Sequence, residues 1–174
     1  MRPVRSEISV RFKVGDRAVY PSQGISKVVR IEERKIGDFS QQFYILEVVN
    51  TGRTIMVPVS KAHQVKLRPI VTRHEAKEIY GILRSKERVK HRNWNQRNTW
   101  FIEKIKTGRL ENIAMVMREL YLSKKEKSLP YAEKQVFATA RNLLIQELAE
   151  AENRRPDDVE SELERIYDAT GGLA

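Results

Sequence analysis

A chain of 174 residues, of which 40% are hydrophobic and 32% charged, is long enough for one ordinary domain or two small ones. Cysteine is absent from it, which excludes disulfides, a thiol nucleophile and cysteine-ligated zinc and is typical of a reducing compartment. No apolar run approaches the length of a membrane span and residues 1–14 lack an apolar signal core, so we expect a cytoplasmic protein without a membrane partner.

The net charge is +10, and it is distributed unevenly along the chain. The positive excess lies in residues 1–110, whereas residues 111–174 are mildly acidic. Such a balance favours a polyanionic partner, nucleic acid before membrane. The alternative is a basic protein without an anionic ligand, because charge alone reports only non-specific attraction.

The first half of the chain has the pattern of short strands. β-Branched and aromatic residues recur between turns rich in Gly, Pro and Asn, as in a small antiparallel sheet or barrel. The predicted turns are Val14–Asp16, Pro21–Gly24 and Asn50–Gly52. The predicted strands are Ser9–Val14, with Val10, Phe12 and Val14 on one face, Arg17–Tyr20, Ile25–Ile31, Gln42–Val49 and Arg53–Val57. We therefore expect a small Tudor- or SH3-like antiparallel β barrel over residues 11–68, after a basic extension at residues 1–10.

From residue 72 the apolar residues recur with helical period, which predicts a compact all-α domain over residues 72–170. Thr72 and Glu75 have the spacing of a capping box, and Asn93 is suited to cap a second helix. The charged stretch Arg84–Arg92 between these helices is predicted to be a solvated loop. The five predicted helices begin near Thr72, Asn93, Leu110, Pro130 and Pro156. The expected fold class is α+β in two domains, with one α+β domain as the alternative because the connection near Pro69 is short.

Groups that support catalysis or metal binding are scattered in the sequence. His63, His74 and His91 lack the spacing of a ligand set. Carboxylates are concentrated in the acidic tail, where they alternate with Arg and Ala and are predicted to be solvated. The sequence also lacks a Gly-rich phosphate loop and a Gly-Xaa-Ser-Xaa-Gly motif. We therefore expect a non-catalytic protein with no metal, no cofactor and no small-molecule substrate.

The stretch Lys86–Lys106 combines basic residues with Trp94 and Trp100. Basic side chains neutralise phosphates, and an aromatic ring at a helix start stacks on, or wedges into, a distorted base step. Trp94 also shares a helical stripe with Phe101 and Ile105, so a core position for Trp94 is the alternative. For Trp100, packing in the core is the expected role.

Short motifs in both halves of the chain form a recognisable combination. They are Phe12-Lys13-Val14-Gly15-Asp16, Val19-Tyr20-Pro21, Gln23-Gly24, Val57-Pro58 and Asn93-Trp94 followed by Arg97. Together they resemble the CarD/CdnL regulators of bacterial transcription, over about residues 11–168 and in the same order of a β module before a helical one. The pattern VGD-x(2)-VYP-x(2)-G is fairly specific, whereas Asn-Trp alone is weak.

In that family an N-terminal Tudor-like domain binds a lobe of the RNA polymerase β subunit. The contact is edge-strand addition, in which backbone hydrogen bonds join a strand of the polymerase to an edge strand of the domain. The resemblance implies that the pairing edge here is Arg53–Pro58. The implied contact residues are Arg34, on an adjacent strand, Arg53, Ile55, Met56 and Pro58. A partner strand would pair with the exposed backbone groups of this edge, which otherwise promote aggregation. For Met56 a barrel-core position is the alternative.

The family's C-terminal domain contacts promoter DNA, largely without sequence preference, at the upstream edge of the transcription bubble. The residue that matches its tryptophan is Trp94, which is implied to lodge in the minor groove and oppose bubble collapse. Arg97 matches a basic family position one turn along and would bind a phosphate. Lys90 and Arg92 are added to the DNA-binding residues from their charge.

The resemblance implies a monomeric, non-catalytic regulator that reaches the nucleoid through RNA polymerase and stabilises the open promoter complex. Thr99 and Trp100 depart from relatives that carry a basic and a small residue there, which puts the placing of the phosphate contacts in doubt.

One alternative is a free-standing nucleic-acid-binding protein that uses the barrel for single strands. Phe43 and Tyr44 count against it, because adjacent strand residues point to opposite faces. The other is a protein adaptor whose basic stretch is only a solvated surface.

Overall fold

The computed structural model describes residues 11–90 and 93–171, apart from the side chain of Lys125. The chain divides into two compact units. The first contains the described residues up to Tyr20 together with Ile25–Pro69, and the second contains Pro21–Gly24 and the described residues from Ile70 onward. Strands build the first unit and helices build the second, so the predicted α+β fold class is confirmed.

Five strands of the described residues form one antiparallel sheet in the first unit. In chain order they are β1 (Arg17–Tyr20), β2 (Gly24–Ile36), β3 (Phe39–Val48), β4 (Thr54–Pro58) and β5 (Arg68–Pro69), with a 3₁₀ turn at Val59–Lys61. Their order across the sheet is β4-β3-β2-β1-β5, so β4 and β5 are its two edges. The turn predicted at Asn50–Gly52 connects β3 to β4.

Apolar side chains from one face of the sheet pack into a small core. Val28 of β2, Tyr44 and Leu46 of β3 and Val57 of β4 are buried there, as the two-residue period of a strand requires. Phe12 lies edge-on to Tyr44, with ring centroids 5.9 Å apart. Its backbone N–H donates to the Tyr44 hydroxyl at 3.2 Å, so the segment before β1 is fixed to this core.

The strand predicted at Ser9–Val14 is wrong where the structure describes it, and its first two residues lie outside the described residues. Residues 11–13 form no strand, and a tight turn follows in which Gly15 has φ +95°. Phe12 is buried before the turn, whereas Val14 within it is 59% exposed. The two side chains therefore do not share a face, because the turn interrupts the alternation.

The β2–β3 hairpin is longer than the predicted strands Ile25–Ile31 and Gln42–Val49. Cross-strand pairing continues to Ile36 opposite Phe39 at its tip. The added residues are mainly charged or polar, so an apolar period does not reveal them. They are stabilised by pairing across the hairpin, where the Ser40 hydroxyl donates to the Glu33 carboxylate.

All five predicted helices are confirmed in the second unit. They are α1 (Arg73–Arg84), α2 (Trp94–Lys106), α3 (Leu110–Glu126), α4 (Tyr131–Glu152) and α5 (Pro156–Gly171). The capping box forms: the Thr72 hydroxyl accepts the Glu75 N–H at 3.2 Å, and the Glu75 carboxylate accepts the Thr72 N–H at 2.7 Å. A cap of this kind stabilises a helix by about 1 kcal/mol. None of the described helices is long and apolar enough to cross a membrane.

The helices pack their apolar stripes into one core. Its fully buried large side chains include Ile79, Leu83, Phe101, Leu110, Met117, Leu120, Leu144, Leu148 and Leu163. Three carboxylates of the acidic tail, Glu119, Glu133 and Glu147, are also buried, so the prediction that these carboxylates are solvated is wrong. A buried carboxylate needs hydrogen-bond partners. Glu147 accepts the Val71 N–H at 3.1 Å, and arginines surround the other two.

Candidate functional site

The register of β4 with β3 sets which of its backbone groups face outward. Among the described residues, β4 pairs with β3 alone. The Val48 N–H donates to the Arg53 carbonyl at 2.9 Å, so Val48 and Arg53 occupy a hydrogen-bonded position of the ladder. Because hydrogen-bonded and non-hydrogen-bonded pairs alternate in an antiparallel ladder, Ile55 also uses its backbone groups toward β3. Thr54 and Met56 therefore direct their N–H and C=O groups away from the sheet.

Side chains along β4 alternate between the core and the outer face of the sheet. Ile55 packs against the core, whereas Met56 is 46% exposed, so the core alternative for Met56 is wrong. Arg53 is exposed and Pro58 is half-buried. Because Pro58 has no N–H, it ends the row of outward donors. An added strand would meet two backbone donors at this edge, with the Met56 side chain beside them.

Arg34 lies on β2, which β3 separates from β4, so its predicted position on an adjacent strand is wrong. Arg34 is opposite Gln41 of β3, and Met56 is opposite Ile45 of the same strand. Positions 41 and 45 point to one face of β3, because side chains alternate with period 2. Arg34 therefore shares the outer face of the sheet with Met56, two strands away.

Glu32 holds two arginines on that outer face. Its carboxylate accepts hydrogen bonds from Arg30 and from Arg34, the latter with Nη2 at 2.8 Å. These bonds, from Arg30 first and Arg34 second, keep the pKa of Glu32 below its usual value. A lowered carboxyl pKa favours the charged form of Glu32. Its hydrogen bonds with Arg30 and Arg34 are therefore intact at neutral pH and weaken only in acid.

Trp94 is the first residue of α2, and its side chain is 51% exposed. Asn93 caps the helix, since its side-chain oxygen accepts the Gln96 N–H at 3.0 Å. Further along the same stripe, Phe101 and Ile105 are buried. The residues of this stripe are thus buried in the later turns of α2 and exposed at its start, so the core alternative for Trp94 is wrong.

Trp100, the other tryptophan of α2, is half-buried and packs against the helical core, as predicted. Its ring lies edge-on to Phe101 with centroids 5.6 Å apart, and the Lys104 ammonium is 5.7 Å from its centroid. The two tryptophans of α2 therefore differ in environment: Trp100 packs inward, and Trp94 faces solvent.

Arg97 lies one turn after Trp94, and its guanidinium is directed into the helical unit. Its Nε donates to Glu133 at 2.9 Å and its Nη2 donates to the Ser123 hydroxyl at 2.8 Å, while Nη1 is 3.6 Å from Glu119. The side chain is only 18% exposed. The phosphate contact of Arg97 stays a prediction, and the structure gives this guanidinium an internal role.

Arg88 belongs to the same network: it is exposed and lies in a loop, as predicted, but its side chain is bonded to α3. Its Nε donates to Glu119 at 3.2 Å, its Nη1 to Glu126 at 2.7 Å and its Nη2 to Ser123 at 3.2 Å. The backbone N–H of Val89 donates to Glu119 at 3.1 Å. A buried carboxylate on α3 therefore binds the stretch that composition alone assigned to solvent.

Lys90, the next predicted DNA-binding residue, is exposed. Arg92, like His91, lies outside the described residues. Sequence reasoning missed Glu119 and Glu133 of the network. One signal was available for Glu119: it lies one turn after Val116 and directly before Leu120, at the border of the apolar stripe of α3, where a carboxylate is costly unless paired.

Other kinds of site find little support in the described part of the chain. It contains no group of three or more His, Asp or Glu side chains arranged to hold a metal ion. Phe43 and Tyr44 are both buried, so neither ring is presented to a base. This counts further against single-strand binding by the barrel.

Comparison with known proteins identifies the family. A model of the CarD-like/TRCF RID domain matches residues 12–71, and a model of the CarD, C-terminal domain matches residues 78–164. The chain is 35% identical over 137 residues to "Putative transcription factor YdeB" of Bacillus subtilis (strain 168), a match that covers 79% of this chain and 90% of that protein. A solved structure described as "CdnLNt from Myxoccoccus xanthus" is 39% identical, with a TM-score of 0.31, over 38% of this chain and 93% of its own. The first unit is thus a Tudor-like domain of the RID type, and the chain belongs to the CarD/CdnL family of transcription factors.

Proposed function

We propose that this protein is a non-catalytic regulator that bridges RNA polymerase and promoter DNA and stabilises the open complex. The observation that carries the proposal is the exposure of Trp94 at the first turn of α2, in a chain whose family consists of transcription factors. The first unit binds the polymerase β subunit, and the second binds DNA at the upstream edge of the bubble. The protein acts as a monomer at the nucleoid, in the cytoplasm, and uses no metal, cofactor or small-molecule substrate.

Polymerase binding by strand addition is supported by the edge position of β4. Backbone hydrogen bonds from Thr54 and Met56 supply affinity, and neighbouring side chains supply selectivity. Met56 and Pro58 lie beside the added strand, and Ile55 supports β4 from the core. Arg53 and Arg34 add positive charge, with Arg34 acting from the outer face rather than from the edge.

DNA binding by the second unit needs little intrinsic affinity. Once the first unit is bound to polymerase, the DNA contacts are intramolecular and occur at a high effective concentration. Trp94 then shifts the promoter toward the open form only by as much as it prefers opened DNA, because differential affinity alone moves a population. A preference of about 1.4 kcal/mol changes the equilibrium tenfold.

The proposal is tested by the lifetime of the open complex on one promoter with purified polymerase. After a competitor challenge, complexes formed with this protein are expected to dissociate more slowly than those of polymerase alone. No change in lifetime, together with no complex with polymerase, would make the free-standing nucleic-acid binder the better explanation. Tight binding to DNA without polymerase would favour the same alternative.

Replacing Lys90 by alanine is expected to weaken binding to opened promoter DNA uniformly across sequences. The loss of one phosphate contact should reduce the slope of log affinity against log salt by about one. Affinity measured over a range of salt concentrations checks this. Lys77→Ala, which removes an exposed lysine of α1 outside the basic stretch, is the matched control and should keep the slope. An unchanged slope for Lys90→Ala is what the adaptor alternative predicts. Arg92 stays a predicted DNA-binding residue beside Lys90.

A further inference from the structure

Glu119 is a buried carboxylate that binds the chain on both sides of Trp94. Its side chain is 1% exposed and lies on α3. Before Trp94 in sequence, it accepts the Arg88 Nε–H at 3.2 Å and the Val89 backbone N–H at 3.1 Å. After Trp94, it lies 3.6 Å from Nη1 of Arg97.

A second shared group closes the network. The Ser123 hydroxyl, one turn after Glu119 on α3, accepts from Nη2 of Arg88 at 3.2 Å and from Nη2 of Arg97 at 2.8 Å. Arg97 also donates to Glu133 on α4 at 2.9 Å, and the Glu133 side chain is 5% exposed. Both segments that flank Trp94 are thus attached to α3, and the later one is attached to α4 as well.

The start of α2 has no buried side chain of its own, so these bonds help to hold it in place. Residues 93–96 are all exposed, whereas Phe101 and Ile105 bury the later turns of the helix. The Asn93 cap satisfies a backbone N–H within α2, but it does not attach the first turn to its neighbours. One link of this turn to α3 and α4 runs through Arg97, and the preceding segment is linked through Arg88 and Val89.

We propose that Glu119 is a positioning residue for Trp94, which holds the first turn of α2 in the orientation that presents the indole ring to opened DNA. This inference rests on the proposed function of Trp94. Glu119 itself is buried and does not touch DNA. Because Glu119 is shared by the two arginines, a change at Glu119 alters the surroundings of both, while Arg88 keeps Glu126 and Arg97 keeps Glu133 as partners.

The mobility of Trp94 in the free protein tests the inference without DNA or polymerase. A Trp100→Phe background leaves Trp94 as the single tryptophan, so its time-resolved fluorescence anisotropy can be measured alone. In that background Glu119→Gln is expected to increase the amplitude of fast indole motion and the quenching by acrylamide. Arg88→Gln changes a half-exposed partner and is the second variant, in case Glu119→Gln folds poorly. Glu160→Gln, which removes the carboxylate paired with Arg141 on α4, is the matched control and should leave both signals unchanged.

The lifetime of the open complex then separates this inference from the proposed function. Glu119→Gln is expected to lose most of the wild-type lengthening, and to cause no further loss when Trp94 is already alanine. Unchanged indole mobility in both Glu119→Gln and Arg88→Gln overturns the positioning role. So does a further loss from Glu119→Gln in the Trp94→Ala background, because the carboxylate would then act by another route. If the mobility rises but neither Glu119→Gln nor Trp94→Ala shortens the lifetime, the positioning stands and the proposed function of Trp94 fails.

Discussion

Replacing Met56 by proline is expected to weaken binding to the RNA polymerase β subunit by roughly 10- to 100-fold. Met56 directs its backbone N–H away from β3, so proline removes a donor that a partner strand would use and leaves the β3–β4 ladder intact. The acceptor on the partner then stays unpaired in a buried interface, at a cost of about 1–3 kcal/mol. Titration calorimetry of the full chain against the purified β-subunit lobe measures the effect.

Two further variants separate the backbone from the side chain. Met56→Ala keeps the N–H and is expected to lose less affinity than Met56→Pro. Thr54→Pro removes the other outward donor and is expected to behave like Met56→Pro. Both proline variants should melt near the wild-type temperature, because the sheet does not use either N–H. Wild-type affinity for Met56→Pro, or equal losses for Met56→Pro and Met56→Ala, contradicts strand addition.

Helix starts could be predicted from the sequence because their determinants are local. Thr72 and Glu75 form the predicted capping box, and Asn93 forms the predicted cap by accepting the Gln96 N–H. Strand limits could not be predicted in the same way. Arg68–Pro69 becomes a strand only because β1 lies beside it, and two residues are too few to show a period.

For the basic stretch, composition predicted the charge but not the direction of each side chain. The guanidiniums of Arg88 and Arg97 bind carboxylates on α3 and α4, and that of Arg97 is largely buried, whereas Lys90 is exposed. The physical reason is that guanidinium is planar, weakly hydrated and able to bind several oxygens, while ammonium is strongly hydrated. The partners Glu119 and Glu133 are distant in sequence, so only the fold brings them to the arginines.

From the sequence alone Trp94 could be either exposed or buried, because its helical stripe continues into the core. Exposure of the ring decides against packing, and the resemblance to the family supplies a role for it. A partner that covers the ring would bury its exposed apolar surface, which would stabilise the complex.

Replacing Trp94 by alanine is expected to shorten the open-complex lifetime by roughly 5- to 100-fold, toward that of polymerase alone, since stacking of an aromatic ring on a base contributes about 1–3 kcal/mol. The fold should be nearly unaffected, because half of the ring is exposed in the free protein. Trp94→Phe is expected to keep part of the effect. Ile102→Ala, which truncates an exposed apolar residue further along α2, is the matched control and should keep the wild-type lifetime.

The step that Trp94→Ala changes identifies how the ring acts. An indole that wedges into opened DNA affects the rate at which open complexes collapse, but not polymerase binding or the formation of closed complexes. It carries no charge, so its loss should leave the salt slope intact, in contrast to Lys90→Ala. If Trp94→Ala weakened closed and open complexes equally, the ring would have no preference between them. By linkage it would then not shift the promoter toward the open form, and stabilisation would have to come from another part of the helical unit.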